Sequence, residues 1–145
     1  MSSDESVLEL VRRVTARPGY TSAVGTTVLL AEPGRVHMEL KRRPDLLQFS
    51  GFFHGGVISG LADHAAGGAV ATALPAGKTA LTIDLHMNFL APADGESITA
   101  KAVAMQIGGT VCTASVEVFT RNGSGEHMCS FAVVTLRVVD MPSKA

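Results

Sequence analysis

The chain has 145 residues, a length that favours one domain with a core of its own and no need of disulfide or metal staples. At 46% hydrophobic and 17% charged it is too apolar for a disordered segment. Twelve basic against thirteen acidic residues leave a formal net charge of -1, which argues against a nucleic-acid binder built on a basic face.

The opening MSSDESVLEL has no basic stretch followed by an apolar one, so no signal peptide is expected. Ser3 or Asp4 is a candidate cap for a first helix over about 4–17. Its Val7, Leu10, Val11 and Val14 fall at i, i+3, i+4 and i+7, one helical stripe, and Pro18-Gly19 ends it. Two strands follow, about 23–31 and 35–41, split by the turn Glu32-Pro33-Gly34-Arg35. Lys41, Arg42 and Arg43 form the one dense basic cluster, either a solvated loop or a phosphate contact. Residues 44–53 read as a loop carrying Phe49, Phe52 and Phe53. Residues 55–73, GGVISGLADHAAGGAVATA, are too long for a strand and apolar nearly all round, which predicts a helix buried on most sides. Gly60, Gly67 and Gly68 cost that helix stability, so close backbone packing is expected beside them. Four strands in a meander are expected next, about 79–90, 96–107, 110–120 and 127–139, with Ala93-Asp94-Gly95, Gly108-Gly109 and Asn122-Gly123 as turn signals. Cys112 and Cys129 lie in alternating apolar runs and in no CxxC spacing, which suits buried free thiols in a reducing, cytoplasmic compartment. The tail from Asp140 is expected to fray. A long apolar helix and one large antiparallel sheet bury each other when the sheet curls around the helix, so the fold class is α+β, a single domain over 1–145 with its core over about 20–139.

Two features carry chemistry. Asp63 lies midway along the apolar helix, where a carboxylate is either on an exposed stripe or functional. Ser59 and Asp63 stand at i and i+4 and share a face with Gly56 and Gly67. Asp63 and His64 in its middle also disfavour a membrane span. Directly before the helix stands His54-Gly55-Gly56. A helix start presents free backbone N–H groups and partial positive charge, and glycine lets a ligand carbonyl approach them, so the tripeptide is either a glycine-rich cap or an oxyanion hole. Gly55 and Asp63 are about 12 Å apart along one helix axis, too far to act on one carbonyl from one chain. If both act, the second comes from another protomer related by a two-fold axis. No His, Cys, Asp and Glu set has metal-ligand spacing and no G-x-S-x-G is present, so neither a metal nor an α/β-hydrolase is expected. His64 points about 100° away from Asp63 and reads as structural, and His86 as a strand residue near the inferred site.

The run Gln48-Phe49-Ser50-Gly51-Phe52-Phe53-His54-Gly55-Gly56-Val57-Ile58-Ser59-Gly60-Leu61-Ala62-Asp63 resembles the signature of PaaI-like hotdog-fold thioesterases: Asn or Gln six residues before His, then Gly, then HGG, and an acid nine residues after the His. Thr82-Ile83-Asp84-Leu85-His86-Met87-Asn88-Phe89 resembles the strand that follows the family's central helix. The resemblance implies a hotdog fold, an antiparallel sheet wrapped around a long central helix, and hydrolysis of acyl- or aryl-CoA to free acid and CoA without a cofactor. It implies that the Gly55 amide polarises the thioester carbonyl and that Asp63 of the opposite protomer is nucleophile or general base. By the same resemblance Gln48 orients thioester or water, His54 tethers the loop or helps hold the carbonyl, and Thr82 assists the water. Gly56, Ser59, Asn88 and Phe89 are the expected substrate-binding positions. A homodimer, and beyond it a tetramer, is expected, with no nucleic acid and no membrane as partner. A non-catalytic acyl-CoA binder and a hotdog dehydratase are the alternatives.

Overall fold

The computed structural model describes residues 5–142. Helix α1 (Val7–Thr15) starts at Ser6, whose Oγ accepts from the Glu9 amide at 3.2 Å while the Glu9 carboxylate accepts from the Ser6 amide at 3.0 Å. This reciprocal box satisfies two otherwise unpaired donors of the helix start. The expected caps Ser3 and Asp4 lie outside the described residues. After Pro18-Gly19 a one-turn helix, α2 (Tyr20–Ala23), forms where a strand was expected to begin. Strand β1 therefore starts later and runs Thr27–Glu32. The Ala23 carbonyl at the end of α2 accepts from Arg43 at 3.2 Å, a long-range contact that no local pattern announces.

Strand β2 (Arg35–Lys41) leads through a short 3-10 turn, Pro44–Leu46, to the long helix α3 (Gly55–Ala71). Strands β3 (Lys78–Phe89), β4 (Ser97–Ile107), β5 (Val111–Asn122) and β6 (Gly125–Asp140) complete the chain. The sheet order is β1-β2-β4-β5-β6-β3, antiparallel throughout. The expected four-strand meander is thus corrected: β4, β5 and β6 form one, but β3 sits beyond β6 at the sheet edge. The reason is that β2 already occupies the other side of β4, in register from Arg35↔Val103 to Lys41↔Ser97. Strand β3 pairs instead with the free edge of β6, from Lys78↔Asp140 to Phe89↔Ser130.

The sheet curls around α3, as the hotdog fold requires. Ile58, Leu61, Ala62, Ala65, Ala66, Ala69 and Val70 of α3 are buried against Val36, Met38 and Leu40 of β2, Ile98 and Ala100 of β4, Val116 and Val118 of β5, and Val134 and Leu136 of β6. Alanine on the helix lets the strands approach closely. Both cysteines are buried and free.

Candidate active site

Helix α3 begins in a way that leaves one amide over. His54 is extended (φ -64, ψ 138), and its Nδ1 accepts from the Gly56 amide at 2.8 Å. Its carbonyl accepts from Val57 and Ile58 at 2.9 and 3.0 Å. The Gly55 amide has no partner among the described residues. A Cβ on Gly55 would stand 3.3 Å from Cζ of Phe89, so the Phe89 ring lies against this glycine. His54 is therefore the cap that holds the loop, and Gly55 carries the free donor.

The preceding turn is tied in the same fashion. The Gln48 amide donates to the Phe52 carbonyl at 2.8 Å, and Gly51 (φ +89) donates back to Gln48 at 3.0 Å. The positive φ makes Gly51 a requirement of the turn. Arg42 donates to the Gly51 carbonyl at 2.6 Å, and Arg43 binds both oxygens of Asp45. Two members of the basic triplet are thus committed to backbone and carboxylate partners within the protomer. The Gln48 side chain accepts from the Ser50 amide and, at 2.7 Å, from its hydroxyl. Its amide oxygen is turned into its own loop.

Asp63 is half-buried, and Thr82 donates to its Oδ1 at 2.6 Å. No cation pairs with Asp63 among the described residues. A β-bulge makes the Thr82 contact: Thr82 opposes Leu136 and Asp84 opposes Thr135, leaving Ile83 unpaired. The extra residue shifts the alternation by one, so Thr82 and, beyond it, Leu85, Met87 and Phe89 all face the helix. Ser59 donates to the Gly55 carbonyl at 2.8 Å and lies 3.4 Å from the Met87 sulfur, so it stitches α3 to β3. Asn88 opposes Phe131 on the outer sheet face with His86, turned away from α3, and is not brought together with Asp63 in this protomer. His64 turns to the other side of the helix, where its Nε2 meets the Thr15 hydroxyl at 2.9 Å. Burial pushes its imidazole pKa below the ordinary value, against the smaller opposing pull of the Asp63 charge. Tyr20, which the sequence did not single out, lies on α3 at Gly60, one turn before Asp63. Among the described residues no three His, Cys, Asp or Glu side chains gather as a metal site, and no helix is long and apolar enough to cross a membrane.

The chain that carries this arrangement, a free amide at a glycine-rich helix start and a carboxylate held by a strand hydroxyl, is similar to known enzymes. The family model of the thioesterase superfamily matches residues 50–126. The chain belongs to the thioesterase superfamily. Human acyl-coenzyme A thioesterase 13 is 26% identical over 127 residues, 86% of this chain and 89% of that protein. The crystal structure of a thioesterase family protein from Silicibacter pomeroyi superposes with a TM-score of 0.88 at 26% identity, covering 94% of this chain and all of the other. A variant of the phenylacetic acid degradation protein PaaI from Thermus thermophilus superposes with a TM-score of 0.70, at 26% identity over 80% of this chain and 95% of its own. The chain is a hotdog-fold thioester hydrolase of the PaaI-like type, as the resemblance of its 48–63 run implied.

Proposed function

We propose that this thioesterase hydrolyses acyl-CoA at sites shared between two protomers, with the Gly55 amide of one and the partner's Asp63 acting on a single thioester. The observation that carries this reading is the Thr82–Asp63 hydrogen bond, which orients a half-buried carboxylate that no cation neutralises among the described residues. One carboxylate oxygen is fixed by the hydroxyl, leaving the other to activate water or attack the carbonyl. The Gly55 amide stabilises the oxygen that becomes negative, and the C–S bond breaks: by the water route Asp63 passes the proton taken from water to the leaving CoA thiolate, and by the nucleophile route the thiolate takes its proton from solvent and water then hydrolyses the acyl–Asp63 anhydride.

The two-chain arrangement is supported by the edge strand. Strand β3 runs for twelve residues at the sheet edge with Leu81 and Ile83 exposed on it. A long apolar edge is an aggregation hazard unless another strand pairs with it. A second copy of β3 running antiparallel covers it and sets two α3 helices side by side in opposite directions. Each Gly55 then approaches the partner's Asp63. On the outer sheet face Val103, Val111 and Phe131 are also exposed, which suits a further pairing of dimers into a tetramer.

The test is thiol release from a panel of acyl- and aryl-CoAs. Asp63→Asn keeps size and hydrogen bonding, and is expected to lower turnover by about 10²-fold or more while still binding substrate. Thr82→Val removes the orienting bond and is expected to cost less, about tenfold. A folded Asp63→Asn protein with wild-type turnover refutes the assignment.

A further inference from the structure

Thr82 holds one oxygen of Asp63 from the β3 side, and the other, Oδ2, has no partner among the described residues. On the opposite side of the same helix stripe stands Tyr20. Gly56, Gly60 and Asp63 fall at i, i+4 and i+7 and share the stripe of α3 that is turned away from the sheet. A Cβ at Gly60 would meet the Tyr20 hydroxyl oxygen first, then Cζ at 2.9 Å and Cε1 at 3.0 Å. The ring therefore crosses the stripe with its hydroxyl leading, from the α1 side toward β3. Side chains three apart on a helix start about 5–6 Å from each other at Cβ. With its oxygen beside the Cβ position of Gly60, the phenol ends about that far from the base of Asp63, a gap that one water spans.

The chain builds this placement. Thr21 of α2 donates to the Thr15 carbonyl at 2.9 Å, and Arg43 donates to the Ala23 carbonyl at 3.2 Å, so the one-turn helix is tied on both sides. Thr15 is itself bonded to His64, which fixes the end of α1 against α3. Gly60, by lacking a Cβ, gives the ring tip its seat. Packing alone does not call for the hydroxyl: Tyr20 is half-exposed, and its oxygen makes no hydrogen bond among the described residues.

We propose that Tyr20 is a further catalytic residue of the thioesterase site, its hydroxyl holding the hydrolytic water against Oδ2 of Asp63 in the same protomer. The inference rests on the acyl-CoA hydrolysis proposed above and concerns its water route. A water that donates one hydrogen to Tyr20 and the other to Asp63 turns a lone pair toward the carbonyl carbon held at the partner's Gly55. The water oxygen bonds to that carbon while Asp63 takes the proton, the C–S bond breaks, and the proton passes from Asp63 to the CoA thiolate. Acid and thiol leave, and Asp63 is ionised again. Tyr20 keeps its own proton throughout and acts by hydrogen bonding alone.

The test is Tyr20→Phe, which keeps the ring on Gly60 and deletes only the oxygen. Across the acyl-CoA panel kcat is expected to fall about tenfold with KM unchanged. The melting temperature is expected to stay the same, because the hydroxyl has no partner within the chain. Gly60→Ala, which displaces the ring, is expected to lose a similar factor by itself and nothing more in the Tyr20→Phe background. A folded Tyr20→Phe protein with kcat within about twofold of the wild type, or with a raised KM and kcat intact, overturns the role of Tyr20 and leaves thioester hydrolysis by Asp63 standing. A Gly60→Ala loss that persists undiminished in the Tyr20→Phe background overturns it as well, since the hydroxyl is then not what Gly60 seats. A wild type that releases no thiol from any acyl-CoA of the panel overturns both readings.

Discussion

Asp63 and His64 are neighbours in sequence and serve different partners, because successive helix positions differ by about 100°. Asp63 reaches Thr82 on β3, while His64 reaches Thr15 on α1. The second contact has a pH signature. Burial holds the native His64 pKa below its ordinary 6.5, so the unfolded chain binds this proton more readily than the folded one. The stabilising effect of neutral His64 is complete above about pH 6.5 and is lost as the pH falls toward the lowered native value. His37 acts in the same direction, through its own burial and then the nearby Arg35 and Lys101 charges. The exposed carboxylates Asp45 and Asp140, held below their ordinary value by Arg43 and Lys78, titrate in a separate window below about pH 4. Thermal melts between about pH 8 and pH 5 should therefore show a declining midpoint, and His64→Gln should flatten that decline. An unchanged slope in the variant removes His64 from the effect. At this scale Asp63, His54 and Gly55 stood out in the sequence as candidates, since a carboxylate and a glycine pair break an apolar pattern. Thr82 was accessible through family resemblance alone, because the bulge at Ile83 that turns it inward leaves no mark on composition.

The elements were legible where their pattern is local. The span of α3, Gly55–Ala71, follows from its apolar run, and β4, β5 and β6 follow from alternation and their hairpin glycines. What escaped was non-local: the edge position of β3 is decided by β2 occupying β4, and α2 is held by contacts to distant residues. One such contact is Tyr20 on α3. A Cβ at Gly60 would stand 2.3 Å from the Tyr20 hydroxyl, so Gly60 is the seat that the ring needs. Tyr20 is the chain's one tyrosine and there is no tryptophan, so intrinsic fluorescence reports on this segment alone. Because the ring is half-exposed, Gly60→Ala should displace it and leave the helix intact. Acrylamide quenching of tyrosine emission should rise, with a small change in melting temperature as the gain of about 1 kcal/mol in helix propensity offsets the lost contact. Gly67→Ala meets nothing within 4 Å in the protomer. It should leave quenching unchanged and stabilise the fold by about 1 kcal/mol. A destabilised Gly67→Ala protein would instead mean that the partner chain packs against this position.

The whole molecule poses the question that one protomer leaves open, namely which chains build a site. Gly55 and Asp63 lie about 12 Å apart along α3. The edge strand offers a two-fold pairing that brings each to the other's counterpart, and this can be tested with two inactive variants. Asp63→Asn removes the carboxylate chemistry and Gly55→Pro removes the amide. The helix start accommodates proline: Gly55 is the first residue of α3, where proline is favoured, and His54 already has the extended conformation that a residue before proline adopts. The His54 Nδ1 bond to the Gly56 amide is untouched by the change. Proline carbons must displace the Phe89 ring, which is exposed enough to move, and circular dichroism with light scattering checks that a folded dimer remains. Each variant alone should lose about 10²-fold or more in turnover. Once mixed and allowed to exchange subunits, half of the dimers carry one of each chain. In a mixed dimer one site collects both lesions and the other collects neither. An equal mixture should then recover about a quarter of wild-type activity. If amide and carboxylate came from the same chain, every site in every dimer would keep one lesion and mixing would restore nothing. Demonstrated exchange without recovery would refute the cross-chain site even while hydrolysis itself stood, and a stable monomer in light scattering would refute it without any mixing.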